Sequence, residues 1–215
     1  MAKVAPSILA ADFANMGSDV GKLEAWGASL VHCDVMDGMF VPNISFGPQL
    51  IKAIRPCTKL PLDVHLMIEQ PERYVEVFAH AGADMLTIHQ EAAPHMHRVL
   101  ALIKDCGART GVALNPSTNI STIEYALDMI DLVLIMTCDP GYGGQQLIPA
   151  MLGKVAALKR MVERSGLDIE IEVDGGVHAG NAATLVRAGV DILVAGTAVF
   201  DADDPQKAVR DLLDA

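Results

Sequence analysis

His32 and Asp34 stand two residues apart in Leu30-Val31-His32-Cys33-Asp34-Val35-Met36, an apolar run that leads into Asp37-Gly38. In an extended chain alternate side chains share a face. His32, Asp34 and Met36 then point one way, and Val31, Cys33 and Val35 the other. An imidazole and a carboxylate on one strand face can hold an ion or a substrate between them. His65 in Leu62-Asp63-Val64-His65-Leu66-Met67 repeats the pattern, as does Asp174 in Ile169-Glu170-Ile171-Glu172-Val173-Asp174-Gly175-Gly176. In each case polar chemistry sits where an apolar strand gives way to loop. Two imidazoles and two carboxylates suit one divalent ion, zinc or iron(II) first, with manganese and cobalt as further choices. With open positions left, such an ion would polarise a substrate that chelates through a carbonyl and a neighbouring hydroxyl.

Asp34 and Asp174 come from distant segments and can face a substrate from different sides. Epimerisation needs that arrangement: one group takes a proton from carbon and another returns one to the opposite face. The bland reading is that both are ligands only. A single histidine at a strand end is more often structural than a ligand. Four residues of this kind, all at strand ends, favour the metal.

Three glycine-bearing stretches offer backbone N–H groups to an anion: Pro140-Gly141-Tyr142-Gly143-Gly144-Gln145, Asp174-Gly175-Gly176-Val177 and Ala195-Gly196-Thr197-Ala198. Glycine lets the main chain approach a phosphate closely, and helix N-termini add a favourable dipole. No Lys or Arg adjoins any of the three, so recognition would fall to the backbone. The long loop Thr137 to Pro149 is a candidate lid that excludes water. Met36, Met67 and Met136, each at a strand end, could make an apolar floor. Glu170 and Glu172 share a face with Asp174, which points them into the barrel, and are open between buried structural partners and groups that support the ligands from behind; Asp63 stands in the same relation to His65. His80, His89, His95, His97 and His178 lack a matching constellation and read as structural or exposed.

The elements that must position these residues alternate along the chain. Val4 to Leu9, Leu30 to Val35, Leu62 to Leu66, Met85 to His89, Thr110 to Leu114, Leu132 to Met136, Ile169 to Val173 and Ile192 to Ala195 read as strands. Ala14 to Trp26, Phe46 to Ile54, Glu72 to Ala81, Pro94 to Cys106, Ile120 to Met129, Ala150 to Arg164, Ala179 to Ala188 and Pro205 to Leu213 read as helices. Eight strand–helix units at a spacing of roughly 25 residues imply a parallel sheet closed into a (β/α)8 TIM barrel. The chain, residues 1–215, is expected to be one such catalytic domain, near the small end of the ~200–400 residue range of that fold. An open doubly wound sheet is the rival, but no GxGxxG follows the first strand. In a barrel, functional groups gather at the C-terminal ends of the strands. His32, Asp34, His65, Asp174 and Ser7 all lie near such ends.

Bulk composition narrows the function further. The formal charge is −11 and the pI about 4.9, which disfavours nucleic acid as a partner. Mean hydropathy is +0.32, yet no apolar run approaches the ~18 residues of a membrane span. The first residues lack a signal-type apolar stretch, and the four cysteines show no CxxC spacing. A cytoplasmic protein with reduced thiols and no membrane partner is expected.

With these residues in hand, the chain resembles the ribulose-phosphate 3-epimerase family over nearly its whole length. The resemblance is carried by Ala5-Pro6-Ser7-Ile8-Leu9-Ala10-Ala11-Asp12-Phe13, by His32-Cys33-Asp34-Val35-Met36-Asp37-Gly38-Met39-Phe40-Val41-Pro42-Asn43 and by Asp63-Val64-His65-Leu66-Met67. It continues in Pro140-Gly141-Tyr142-Gly143-Gly144-Gln145 and Glu170-Ile171-Glu172-Val173-Asp174-Gly175-Gly176-Val177. The resemblance implies interconversion of D-ribulose 5-phosphate and D-xylulose 5-phosphate in the pentose phosphate pathway. It implies His32, Asp34, His65 and Asp174 as ligands of one catalytic metal, with Asp34 as proton acceptor in one direction and Asp174 as donor. Ser7 and His65 would touch the substrate, and Gly141, Tyr142, Gly143, Gly144, Gly175, Gly176, Gly196 and Thr197 would hold its phosphate end. A homo-oligomer, dimer or hexamer, is implied as well.

Some residues depart from the pattern. Asp139 stands before Pro140 where the pentulose enzymes usually carry Asn or Glu, and Asp139-Pro140-Gly141 is similar to the allulose-6-phosphate 3-epimerases. Tyr142 replaces the usual Phe, and Gln146-Leu147 also differs. The alternative is therefore a 3-epimerase of a hexulose 6-phosphate such as D-allulose 6-phosphate. A metal-independent phosphate-binding barrel and a non-catalytic one are further readings. The first predicts activity after chelation, and the second predicts no deuterium uptake from solvent.

Overall fold

The computed structural model describes residues 2–215. Among them eight strands run parallel: β1 Lys3–Pro6, β2 Val31–Met36, β3 Leu62–Met67, β4 Met85–His89, β5 Arg109–Leu114, β6 Leu132–Met136, β7 Glu170–Asp174 and β8 Ile192–Ala195. Each pairs with its neighbour in sequence, and β1 pairs with β8. The two remaining edges, β1 and β2, meet through one parallel bridge, Ser7 to His32. The barrel is thereby nearly closed, as the alternation predicts. The helices are α1 Met16–Trp26, α2 Pro48–Ile54, α3 Val75–Ala81, α4 Met96–Asp105, α5 Met151–Ser165, α6 Ala179–Ala188, α7 Thr197–Phe200 and α8 Pro205–Leu213. No helix among the described residues is long and apolar enough to cross a membrane.

The strands are apolar on both faces because helices cover one and the barrel interior the other. Val31, Cys33 and Val35 of β2 pack outward in the main core with Val20 and Leu23 of α1. That helix buries Met16, Val20 and Leu23, one stripe at helical spacing. Gly27, Gly82 and Gly189 end α1, α3 and α6 in the left-handed conformation, as the repeated stop pattern predicts. Inside the barrel a second cluster of Ala5, Leu30, Met85, Ala113, Leu132, Leu134, Met136, Ile192 and Val194 fills the axis. His32, Asp63, His65, Thr87, His89 and Glu172 are buried with them.

Several boundaries differ from the sequence reading, each for a local reason. The first strand stops at Pro6, because Ser7 caps a 3₁₀ turn over Ile8–Ala10 and its Oγ accepts from the Leu9 N–H at 3.3 Å. The second helix begins at Pro48 rather than Phe46, with proline at the first helical position. The segment Glu72 to Ala81 divides into a 3₁₀ turn, Pro71–Arg73, and α3. The segment Ile120–Met129 is 3₁₀ throughout, entered at Asn119. Its first turns carry Ile120, Ser121, Thr122 and Ile123, residue types with low helix propensity. The short α7 after β8 has no periodicity long enough to be read in advance.

Candidate active site

Register brings the chemistry together. Asp34 on β2 lies opposite His65 on β3, and Met136 on β6 opposite Asp174 on β7. His32 Nε2 is 3.2 Å from Asp34 Oδ1, and His65 Nδ1 is 3.0 Å from the same oxygen. The closing bridge sets Ser7 beside them, and its Oγ donates to Asp34 Oδ2 at 2.5 Å. One ligand atom from each of His32, Asp34, His65 and Asp174 lies within 4.8 Å of the others.

The donor set fits a divalent ion. Two atoms each ~2.1 Å from one ion and at right angles lie about 3 Å apart, which is the spacing of both imidazoles from Asp34. The nitrogens turned away from that point are already engaged. His32 Nδ1 is 2.6 Å from Asp63 Oδ2, and His65 Nε2 is 2.9 Å from His89 Nε2. An outer partner of this kind sets the ring angle and leaves the inner nitrogen for the ion. Cys138 lies nearby, but burial and the charge of Asp174 push its thiol up to about 12, so it stays protonated.

The two aspartates have opposite environments. Burial favours a neutral Asp34, but His32 and His65 overcome it and hold the carboxyl far below the usual range. Burial and the charge of Asp34 push Asp174 up to about 6. Burial works against a charged His32, yet Asp34 and Asp63 together raise its pKa well above the ordinary value. Beneath them Glu172 is fully buried, and burial with the Asp63 charge raises its pKa well above normal. Its two oxygens and Asp63 Oδ1 take no hydrogen bond among the described residues.

Above the cluster opens a cavity of about 290 Å³. Ser7, Asp34 and Asp174 line it together with Met36, Met67 and Met136. All three glycine stretches border it, through Gly141, Tyr142, Gly143 and Gly144, through Gly175 and Gly176, and through Gly196 and Thr197. Its lining holds no Lys or Arg among the described residues. Gly175 and Gly176 have φ of +119° and +67°. A Cβ on Gly175 would collide with Cys138 Sγ, and one on Gly176 with the backbone nitrogen of Leu147. The turn after Asp174 therefore packs against the loop after β6 as only glycine allows. Thr137 reinforces that contact, its N–H donating to Asp174 O at 2.7 Å and its hydroxyl to Gly175 O at 2.6 Å. The β6 loop crosses the mouth to the β2 loop: Asn43 Nδ2 donates to Gly141 O at 3.0 Å, and the Tyr142 hydroxyl donates to Pro42 O at 3.1 Å.

Thus every site residue named from sequence converges on one mouth, His32 and His65 just beneath its floor. Three placements differ from expectation. Asp63 serves His32, although its position in sequence links it to His65. Glu170 lies at the opposite end of the barrel, paired with Lys3 at 2.6 Å and Arg109 at 2.7 Å. His89 is buried against His65 and Phe40, with ring centroids 5.0 and 4.6 Å away, and its Nδ1 lies 3.2 Å from Glu91 Oε2. The available signal was the inward alternation Met85, Thr87, His89 along β4, followed by Glu91. His178 is a helix cap, its Nδ1 accepting from the Gly180 N–H at 3.1 Å.

Known proteins resemble this chain throughout. Residues 3–200 match the model of the ribulose-phosphate 3 epimerase family. A ribulose-phosphate 3-epimerase of Bacillus subtilis is 52% identical over 213 residues, 99% of this chain and 98% of the relative. One from Synechocystis sp. is 50% identical over 208 residues, 96% of this chain and 90% of the relative. Among solved structures, KGPDC from Streptococcus mutans superposes with a TM-score of 0.73, covering 100% of this chain and 96% of its own, at 16% identity. That last likeness is one of fold.

Proposed function

The chain belongs to the ribulose-phosphate 3-epimerase family and interconverts D-ribulose 5-phosphate and D-xylulose 5-phosphate, and we propose that Asp34 and Asp174 carry the proton transfer. The observation that carries this reading is the convergence of His32, Asp34, His65 and Asp174 within 4.8 Å under the glycine-rimmed cavity. These four residues would hold one divalent ion, zinc or iron(II) on the nature of the donors. When bound, it would supply Lewis-acid stabilisation to negative charge developing on the substrate's oxygens.

The protein's own groups do the rest. Backbone N–H groups of Gly141 to Gly144, Gly175, Gly176, Gly196 and Thr197 receive the phosphate end. Ser7 holds the Asp34 carboxylate by its 2.5 Å hydrogen bond and, lining the cavity, meets the sugar end, while His65 stays buried beneath the floor. In one direction ionised Asp34 takes the C3 proton, and the C–H electron pair moves into an enediolate across C2 and C3. Asp174, whose carboxyl burial and the charge of Asp34 bias toward the protonated form, then delivers a proton to the other face of C3. The reverse reaction exchanges the two roles. Two carboxyls whose surroundings drive their pKa values apart provide an acid and a base together. Met36, Met67 and Met136 keep the floor apolar, which shields the enediolate from stray protonation. A cytoplasmic location and a homo-oligomer belong to the same reading.

Proton-linked metal uptake tests the ligand set. Near pH 6 His32 is charged in the metal-free protein. His32 must lose a proton to serve as a ligand, so affinity rises with pH and binding releases protons. Calorimetric Zn²⁺ titration in buffers of different ionisation enthalpy is expected to give one ion per chain, with proton release at pH 6. Binding without proton release, or no stoichiometric binding, would remove these residues from the site.

A further inference from the structure

The 2.9 Å contact between His65 Nε2 and His89 Nε2 joins two ring nitrogens, so one must donate and the other accept. His65 turns Nδ1 toward Asp34, and as a ligand that nitrogen must be unprotonated. Its proton then sits on Nε2 and is donated to His89. His89 therefore carries its own proton on Nδ1, where Glu91 Oε2 lies 3.2 Å away. Glu91 is fixed in turn: its other oxygen accepts the Asn115 N–H at 2.8 Å and the Thr118 hydroxyl. The opposite polarity would set the His89 Nδ1 lone pair against a carboxylate, so only one direction of the chain is satisfied.

We propose that His89 and Glu91 are positioning residues that fix the tautomer of His65 and so present Nδ1 to the ion. This inference rests on the metal site proposed above. It makes His65 the counterpart of His32, whose outer nitrogen is held by Asp63 at 2.6 Å. The difference is that His65 reaches its carboxylate through a second imidazole. Phe40 lies against the His89 ring and holds its plane.

Glu91→Gln tests the polarity with little change in shape. The fixed Asn115 N–H keeps the amide oxygen on its side, which turns the NH₂ toward His89 Nδ1. His89 must then protonate Nε2, and His65 is driven to protonate Nδ1, the ligand atom. Metal-free protein is titrated with Co²⁺ alone, in competition with a chromogenic chelator, while the visible band of bound Co²⁺ is recorded. The expected result is an affinity loss of about 10–100-fold with an altered band. The exposed Glu72→Gln control should bind as the wild type does. On wild-type protein loaded with Zn²⁺, long-range ¹H–¹⁵N spectra should show His89 protonated at Nδ1 and His65 at Nε2. Wild-type affinity and band in Glu91→Gln, or a proton on His89 Nε2 in the wild-type spectrum, would overturn the proposal. A wild-type protein that takes up no Co²⁺ would overturn the four-residue site beneath it.

Discussion

Asp34→Asn and Asp174→Asn are each expected to lower epimerisation by about 10²–10⁴-fold, the range of a lost general acid or base. Asparagine keeps the size of the side chain and one oxygen that can still face an ion, so the barrel and some metal binding should survive. What it cannot do is exchange a proton at the reacting carbon. The two variants should fail in complementary ways. With Asp174 gone, Asp34 still reaches the C3 proton of one epimer, and that proton exchanges with solvent although no product forms. With Asp34 gone, exchange survives only in the other epimer. Combining the substitutions should cost far less than the product of the two effects, because both serve one reaction path. Steady-state rates with each epimer check the loss, and deuterium exchange checks its asymmetry. Near-wild-type turnover in either variant would end the two-carboxylate scheme.

Metal removal is the second large effect. Lewis-acid stabilisation of developing charge amounts to several kcal/mol, and at about 1.4 kcal/mol per tenfold this predicts a rate loss of about 10³-fold or more. Activity should return on adding Zn²⁺ or Fe²⁺ and not on adding Mg²⁺, which prefers an all-oxygen shell to imidazole. The fold should persist without the ion. The main core between strands and helices is a continuous apolar cluster that includes none of the four ligands. Circular dichroism after chelation should therefore match that of the loaded protein while turnover falls. Full activity in protein shown by elemental analysis to be metal-free would contradict the role given to His32 and His65.

Much of this was legible in the chain because period and punctuation are local. Alternation along Val31–Met36 put His32 and Asp34 on one face, and repeated glycine stops divided the helices. Position at strand ends then brought Ser7, His65 and Asp174 to the same mouth, since a closed barrel has one such end. What was not legible depends on register between strands. Asp63 and His65 lie on one face of β3, and nothing local tells which of the two histidines Asp63 serves. The β2–β3 pairing sets His32 opposite Asp63 and Asp34 opposite His65. His89 was passed over for the same reason: its partner arrives from β3, and its carboxylate from the loop after β4. Glu170 and Glu172 share a face, yet one reaches solvent and ion pairs at the barrel's base while the other is sealed beneath the site.

The most direct measurement is proton NMR of metal-loaded protein with D-ribulose 5-phosphate in D₂O, repeated after chelation. Proton transfer between carbon and two side chains that exchange with solvent predicts loss of the C3 proton signal as D-xylulose 5-phosphate appears. Chelation should stop both, and Zn²⁺ or Fe²⁺ should restore both. Product that forms with its C3 proton retained throughout would contradict the account at its centre.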